Sequence, residues 1–578
     1  MRRLLWLLCL QGSFALAADN SHIPEAASAL NQTQSVSAQH FMAVTANSHA
    51  TTAAFDMLKR GGSAIDAAIA AQLVLGLTEP QSSGIGGGAF MLYWDSAKTK
   101  LHYFDGRETA PAAVDENYFL QDDGKPLAFM DAVIGGHSVG VPGVIKLFAL
   151  AHSRYGKLQW ATLFEPAIAL AQNGFAISPR LYTLLKETPR LQESAALREY
   201  FFLADGNPKP IGFVLKNPAY ANTLKQLARG GENAFYRGAI ARDIVAAVNG
   251  SPNSTGNIAL GDLAAYRAIE REPVCAAYFS YRICGAAPPS SGGTTVLAIL
   301  GMLQQFSADQ RKPGSVDFYH LFAEASALAF ADRDTYVADP DFIAVPTQEL
   351  VAPDYLAARA ALIDPKQATP AASAGAPRWP QAAHIDYLAS ASPELLSTSH
   401  VSIVDSFGNA LSMTTSVESA FGSRVLVDGF VLNNQLTDFS FTPRDQDGKR
   451  VANRIEAGKR PRSSMAPTIV FKDAKPLLLI GSPGSARIID YVAQTLVYVL
   501  DGKLGLDEAI ASPHIVSLNR GVELESGKVG EAEKTALTAF GHTIKEVPQS
   551  SGLNGILIEQ KGLTGVSDPR REGVAKGL

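Results

Sequence analysis

Residues 397–405 read Ser-Thr-Ser-His-Val-Ser-Ile-Val-Asp. Alternation and β-branching over 399–404, turn formers over 405–409 and a second extended run over 410–417 form a β-hairpin. With Val404 paired to Ala410 across the turn, antiparallel register sets Ser416 opposite Thr398 on one face. A threonine hydroxyl becomes a nucleophile when a base sits beside it, and a threonine at a chain terminus carries its own, the α-amine. That amine titrates near about 7.7–8.0, so it accepts a proton at neutral pH. This chemistry requires a cut between Ser397 and Thr398. Attack on an amide also needs donors for the tetrahedral oxyanion. Gly481-Ser482-Pro483-Gly484-Ser485-Ala486 joins a strand (477–480) to a helix (487–500), and the backbone N–H groups of Gly484 and Ser485 at that helix start are suited to negative charge.

A competing nucleophile is Ser138 in Gly136-His137-Ser138-Val139-Gly140, the G-x-S-x-G pattern of a nucleophile elbow. An elbow needs a helix directly after its serine, whereas Val141-Pro142-Gly143 follows here. Ser138 chemistry would also leave one uncut chain.

The elements that must position these groups are legible in outline. Residues 51–60 read as a helix, and Ser63 with Asp66 forms a capping box that opens an apolar helix to about residue 76. Residues 78–91 are a glycine-dense turn feeding a strand. They lack the Lys-Ser/Thr of a P-loop and the following helix of a dinucleotide site, so the glycines read as close backbone packing. A strand at 101–105 leads to Arg107, and 144–250 is largely helical. Further helices occupy 294–303 and 318–336, and the Ala/Pro/Ser-rich stretch 365–396 reads as a flexible tether.

With 578 residues, 47% of them hydrophobic, a large core is available, while a net charge of -5 and the lack of a basic run argue against nucleic-acid binding. Met1-Arg2-Arg3, an apolar stretch and Ala15-Leu16-Ala17 form a secretory signal peptide (1–17). A polar, flexible mature N-terminus (18–39) follows. Removing the signal peptide leaves two cysteines, Cys275 and Cys284, which either close a small loop as a disulfide or remain free thiols. No Cys/His spacing indicates a metal site, and no cofactor is expected.

Four motifs, 397–405, Asn433-Asn434-Gln435-Leu436-Thr437-Asp438-Phe439, Lys459-Arg460-Pro461-Arg462-Ser463-Ser464-Met465 and Gly481-Ser482-Pro483-Gly484, resemble in order and spacing those of the γ-glutamyltransferases, which are N-terminal nucleophile hydrolases. The resemblance implies an α/β fold, a four-layer αββα sandwich. It implies a precursor cut into a large subunit (40–397, with a flexible tether at about 365–397) and a small subunit (398–578) that pair as an exported, periplasmic or secreted heterodimer. It further implies attack by Thr398, supported by Ser416, on γ-glutamyl amides such as glutathione, with water or an amino-acid or peptide acceptor resolving the acyl-enzyme. Arg107, Ser463 and Ser464 would hold the substrate carboxylate, and Gln435, Asp438 and Glu418 its ammonium.

The sequence departs from that family in four ways. Ser485 stands where a second glycine is expected, which a backbone donor tolerates if φ stays negative. Ser416 and Glu418 replace Thr and Asn, and Glu418 shares the Ser416 face only if the strand runs on. The loop 439–459 carries no Tyr, so an aromatic lid is not expected. Two alternatives remain: a glutaryl or cephalosporin-type acylase on the same scaffold, and an uncut exported binding protein.

Overall fold

The computed structural model describes residues 35–379, 387–390 and 397–578. The signal peptide, residues 18–34 and parts of the tether (380–386, 391–396) lie outside the described residues.

Two seven-stranded antiparallel sheets form the centre. The first runs Ser35–Ala38, Gly562–Ser567, Asn554–Glu559, Lys475–Gly481, Thr468–Lys472, Tyr281–Gly285, Val274–Tyr278. The second runs Val574–Gly577, Met42–Thr45, Ser399–Val404, Ala410–Ser416, Gly88–Asp95, Lys100–Gly106, Ile269–Arg271. The side-chain period of two explains the layering. In Gly88–Asp95, Phe90, Leu92 and Trp94 enter a core shared with the first sheet, where Trp94 meets Phe471 edge-on at 5.1 Å between ring centroids. Ala89, Met91 and Tyr93 enter a second core with the helices Ser48–Lys59 and Ala64–Thr78. Helices Gly292–Leu303, Val316–Tyr336 and Ile488–Leu500 join the first core and complete the αββα sandwich.

The expected hairpin forms in the expected register, from Val404↔Ala410 to Ser399↔Thr415. Its turn is fixed by Asp405, whose carboxylate accepts from the backbone N–H of Phe407, Asn409 and Ala64. Along this strand Val401 and Ile403 face the helices, whereas the Ser402 hydroxyl reaches across to the Asn554 carbonyl at 3.0 Å. Thr398 shares the even-numbered face with Ser402, and so points toward the first sheet and the turn after Lys475–Gly481.

Two expectations are corrected and one open alternative is decided. Order begins before His40: Ser35–Ala38 pairs with Gly562–Ser567, a partner too remote in sequence for a short polar strand to betray. The tether is not free over 365–379. Ala368 N–H bonds Phe540, Ala372 bonds Asn519, and Gly375 bonds Asp332. Low periodicity excludes a helix or strand, not anchoring through isolated backbone hydrogen bonds. Of the two cysteine readings the disulfide holds, Cys275 and Cys284 being paired across adjacent strands and joined.

Candidate active site

Thr398 and Ser416 meet where the hairpin register puts them. Thr398 Oγ1 lies 2.6 Å from the carbonyl oxygen of Ser397 and 3.2 Å from Ser416 Oγ. Ser416 Oγ donates to that same carbonyl at 2.7 Å and accepts from the Glu418 N–H at 2.8 Å. Two hydroxyls therefore converge on the carbonyl of the Ser397–Thr398 bond. Ser397 is itself buried, its hydroxyl donating to the Gln81 carbonyl.

A small pocket opens beside them, lined by Thr398, Ser416, Glu418, Gln435, Asp438, Ser463, Ser464 and Ser485, with Met465 and Ile488 as apolar wall. Gln435 and Asp438 come from one short 3₁₀ turn, Gln435–Asp438. The Ser464 hydroxyl is oriented by Arg333 Nη2 at 2.6 Å, and the Ser463 hydroxyl accepts from the Met465 N–H at 3.2 Å.

Glu418 reaches the pocket differently from the expectation. The strand ends at Ser416, and Glu418 sits in the following turn with φ 77°, its carboxylate accepting from Asn434 Nδ2. Gly484 and Ser485 precede the helix Ile488–Leu500 as expected, but Ser485 has φ 61°, so the condition of negative φ is not met. The turn imposes this geometry, and Gly484 is held tightly there: a Cβ on it would lie 2.7 Å from the Tyr491 ring.

Arg107 is not among the residues that line this pocket. Its guanidinium bonds Asp438, the Arg462 carbonyl at 2.9 Å and the Pro461 carbonyl at 3.2 Å, behind the pocket wall rather than in it. It positions Asp438. Its neighbour Glu108 is buried with the carboxyl pushed up to about 8, because burial outweighs the attraction of a guanidinium 3.7 Å away that is committed to Asp438.

His400, two residues from Thr398, is not its base. Burial pushes this imidazole down to about 3, and its nitrogens meet Thr414 Oγ1 at 2.8 Å and Ser402 Oγ at 3.1 Å. Ser138 is excluded as an elbow nucleophile: its hydroxyl donates to the Val133 carbonyl at 2.6 Å, and the next helix starts only at Val144.

The model for the family described as gamma-glutamyltranspeptidase matches residues 50–578. The chain belongs to the gamma-glutamyltranspeptidase family. The glutathione hydrolase proenzyme of Bacillus subtilis (strain 168) is 36% identical over 545 residues, covering 93% of this chain and 91% of that protein. The acylase ACY 1 proenzyme of Pseudomonas sp. (strain SE83) is 33% identical over 566 residues, covering 95% and 96%. The crystal structure of a cephalosporin acylase from Bacillus halodurans aligns with TM-score 0.81 at 26% identity, covering 95% of this chain and 97% of that one.

Residue-by-residue reading misses the buried polar groups packed beside Thr398. Ser399 Oγ donates to Glu79 at 3.2 Å, and Glu79 is paired with Arg180 at 3.0 Å, all three buried. In the sequence, Thr-Glu-Pro-Gln-Ser-Ser at 78–83 reads only as the start of a glycine turn. A carboxylate placed directly after the apolar helix Ala64–Thr78 is the available signal. Arg571 was missed too; its Nη1 lies 3.4 Å from the Thr398 carbonyl. Phe441, in the loop lacking Tyr, stacks on Phe119 at 4.3 Å, away from the pocket.

Proposed function

We propose that this chain is a self-cutting γ-glutamyltransferase and glutathione hydrolase. In the cut, Thr398 Oγ1 attacks the Ser397 carbonyl carbon while the Ser416 hydroxyl holds the carbonyl oxygen. The C–N bond breaks, the hydroxyl proton passes to the departing nitrogen, and water hydrolyses the resulting ester, leaving residues 18–397 and 398–578 as a large and a small subunit. The freed α-amine of Thr398 then takes the hydroxyl proton in turnover. Oγ1 attacks the γ-glutamyl carbonyl, the Gly484 N–H and, in spite of its left-handed φ, the Ser485 N–H receive the oxyanion, and the acyl-enzyme passes to water or to an amino-acid or peptide acceptor. Glu418, Asp438 and Gln435 face the substrate ammonium. Ser463 and Ser464 face its carboxylate, with the Arg107 charge behind them. The placing of Phe441 off the pocket supports an open site. The N-terminal segment 1–17 supports export, and no helix among the described residues is long and apolar enough to cross a membrane.

The observation that carries this reading is the convergence of Thr398 and Ser416 on the Ser397 carbonyl. Intact mass and N-terminal sequencing of purified protein test it. Wild type should give two chains, one starting Thr-Ser-His-Val, and Thr398→Ala one inactive chain; a Thr398→Ala protein that still matured would refute it. The acylase relatives motivate a second reading, a glutaryl amide donor without the α-amine. Glu418 opposes it, because a buried carboxylate favours an ammonium. A charge-assisted contact contributes about 1.5–3 kcal/mol, so Glu418→Gln should cut the γ-glutamyl to glutaryl kcat/KM ratio by about 10- to 100-fold.

A further inference from the structure

We propose that His320, Glu324 and His542 form a site for a divalent transition-metal ion of the zinc class, remote from the nucleophile. His320 and Glu324 are four residues apart on the helix Val316–Tyr336, a spacing that puts both on one face. His542 lies between the helix Glu531–Ala539 and the strand Ile544–Val547. All three are buried, and one ligand atom from each lies within 4.8 Å of the others.

The hydrogen bonds around the cluster already have the form a metal requires. His320 Nε2 donates to the Asp364 carbonyl at 2.7 Å, which fixes the tautomer and leaves the Nδ1 lone pair facing His542 Nε2 at 2.8 Å. Ligating histidines commonly use their second nitrogen in this way. The Glu324 carboxylate, 3% exposed, accepts only from the Thr369 N–H, at 3.1 and 3.2 Å, and has no lysine or arginine partner among the described residues. A buried carboxylate without a cation is costly, and a divalent ion shared with two imidazoles removes that cost. Two histidines and a glutamate are a known zinc donor set, with bonds of about 2.0–2.2 Å that set ligand atoms about 3.3 Å apart. For ligation the imidazoles separate by about half an ångström, His542 takes the Nδ1–H tautomer so that its Nε2 lone pair is free, the carboxylate closes in from within 4.8 Å, and a water takes the fourth position. His320 and Glu324 precede the Ser397–Thr398 bond and His542 follows it, so the ion would tie together the two subunits of the proposed function. Binding itself does not depend on the cut.

The test uses untagged, purified full-length protein, stripped with a chelator, loaded with Zn²⁺, passed through a desalting column and assayed for zinc by mass spectrometry. Wild type should retain about one equivalent and gain in Tm, because an ion bound only to the folded state stabilises it. Co²⁺ in its place should give a visible ligand-field band. Glu324→Gln, nearly isosteric, and His542→Gln should both lose the zinc and the Tm gain. Retention below about a tenth of an equivalent by wild type, or equal retention by both variants, would leave only a histidine–histidine hydrogen bond and overturn the site. Should His542→Gln fold poorly, Glu324→Gln and the wild-type cobalt spectrum decide, and cut or uncut protein serves equally.

Discussion

Ser485 and Glu418 line the pocket with φ of 61° and 77°. An L side chain in the left-handed region costs about 1–2 kcal/mol, part of which glycine recovers at the expense of a more disordered unfolded chain. Ser485→Gly should therefore raise stability by about 0.5–1 kcal/mol in urea unfolding, with kcat little changed because the backbone donors stay. Glu418→Asn should also gain stability, asparagine tolerating this region better, yet weaken selection for the ammonium. His400 gives a pH signature. Its folded-state value lies near 3, below the ordinary 6.5, so between those values the unfolded chain binds the extra proton. Its contribution is intact above about pH 6.5 and is lost as pH falls toward 3. His400→Asn should flatten the fall in urea midpoint across that window. The identities of Thr398, Gln435 and Ser463 were legible because their motifs are contiguous. The posture of Arg107 was not, since its partners Asp438 and Arg462 lie more than 300 residues away.

The hairpin was readable because alternation and turn residues are local signals, and a period of two then fixed which hydroxyl faces which. The strand Ser35–Ala38 and the anchored stretch 365–379 escaped because long-range partners hold them. The glycines of 78–91 pack closely at specific positions. A Cβ on Gly87 would collide with the Ser416 carbonyl, whereas one on Gly84 would meet only the Gly76 Cα at 3.6 Å. Gly87→Ala should push Ala410–Ser416 away from its neighbour, cost more than about 2 kcal/mol and leave most of the chain uncut on a denaturing gel. Gly84→Ala should cut normally.

At the scale of the molecule, the segments before and after Thr398 are interleaved. Met42–Thr45 is hydrogen-bonded on one side to Ser399–Val404 and on the other to Val574–Gly577. Severed at residue 397, the two pieces should co-elute on gel filtration even in about 1 M salt, where the Debye length is about 3 Å, and part only when denaturant removes the secondary structure. The four-layer arrangement was legible only through resemblance, because local pattern does not state which strands become neighbours. That interleaving also sets a clock on synthesis. Asn554, whose side-chain amide holds the His400 carbonyl, and Val574–Gly577, which closes the sheet beside Met42–Thr45, are made long after Thr398 emerges from the ribosome. A nascent chain stalled before residue 554 should carry its nucleophile and remain whole, and release to full length should start the cut.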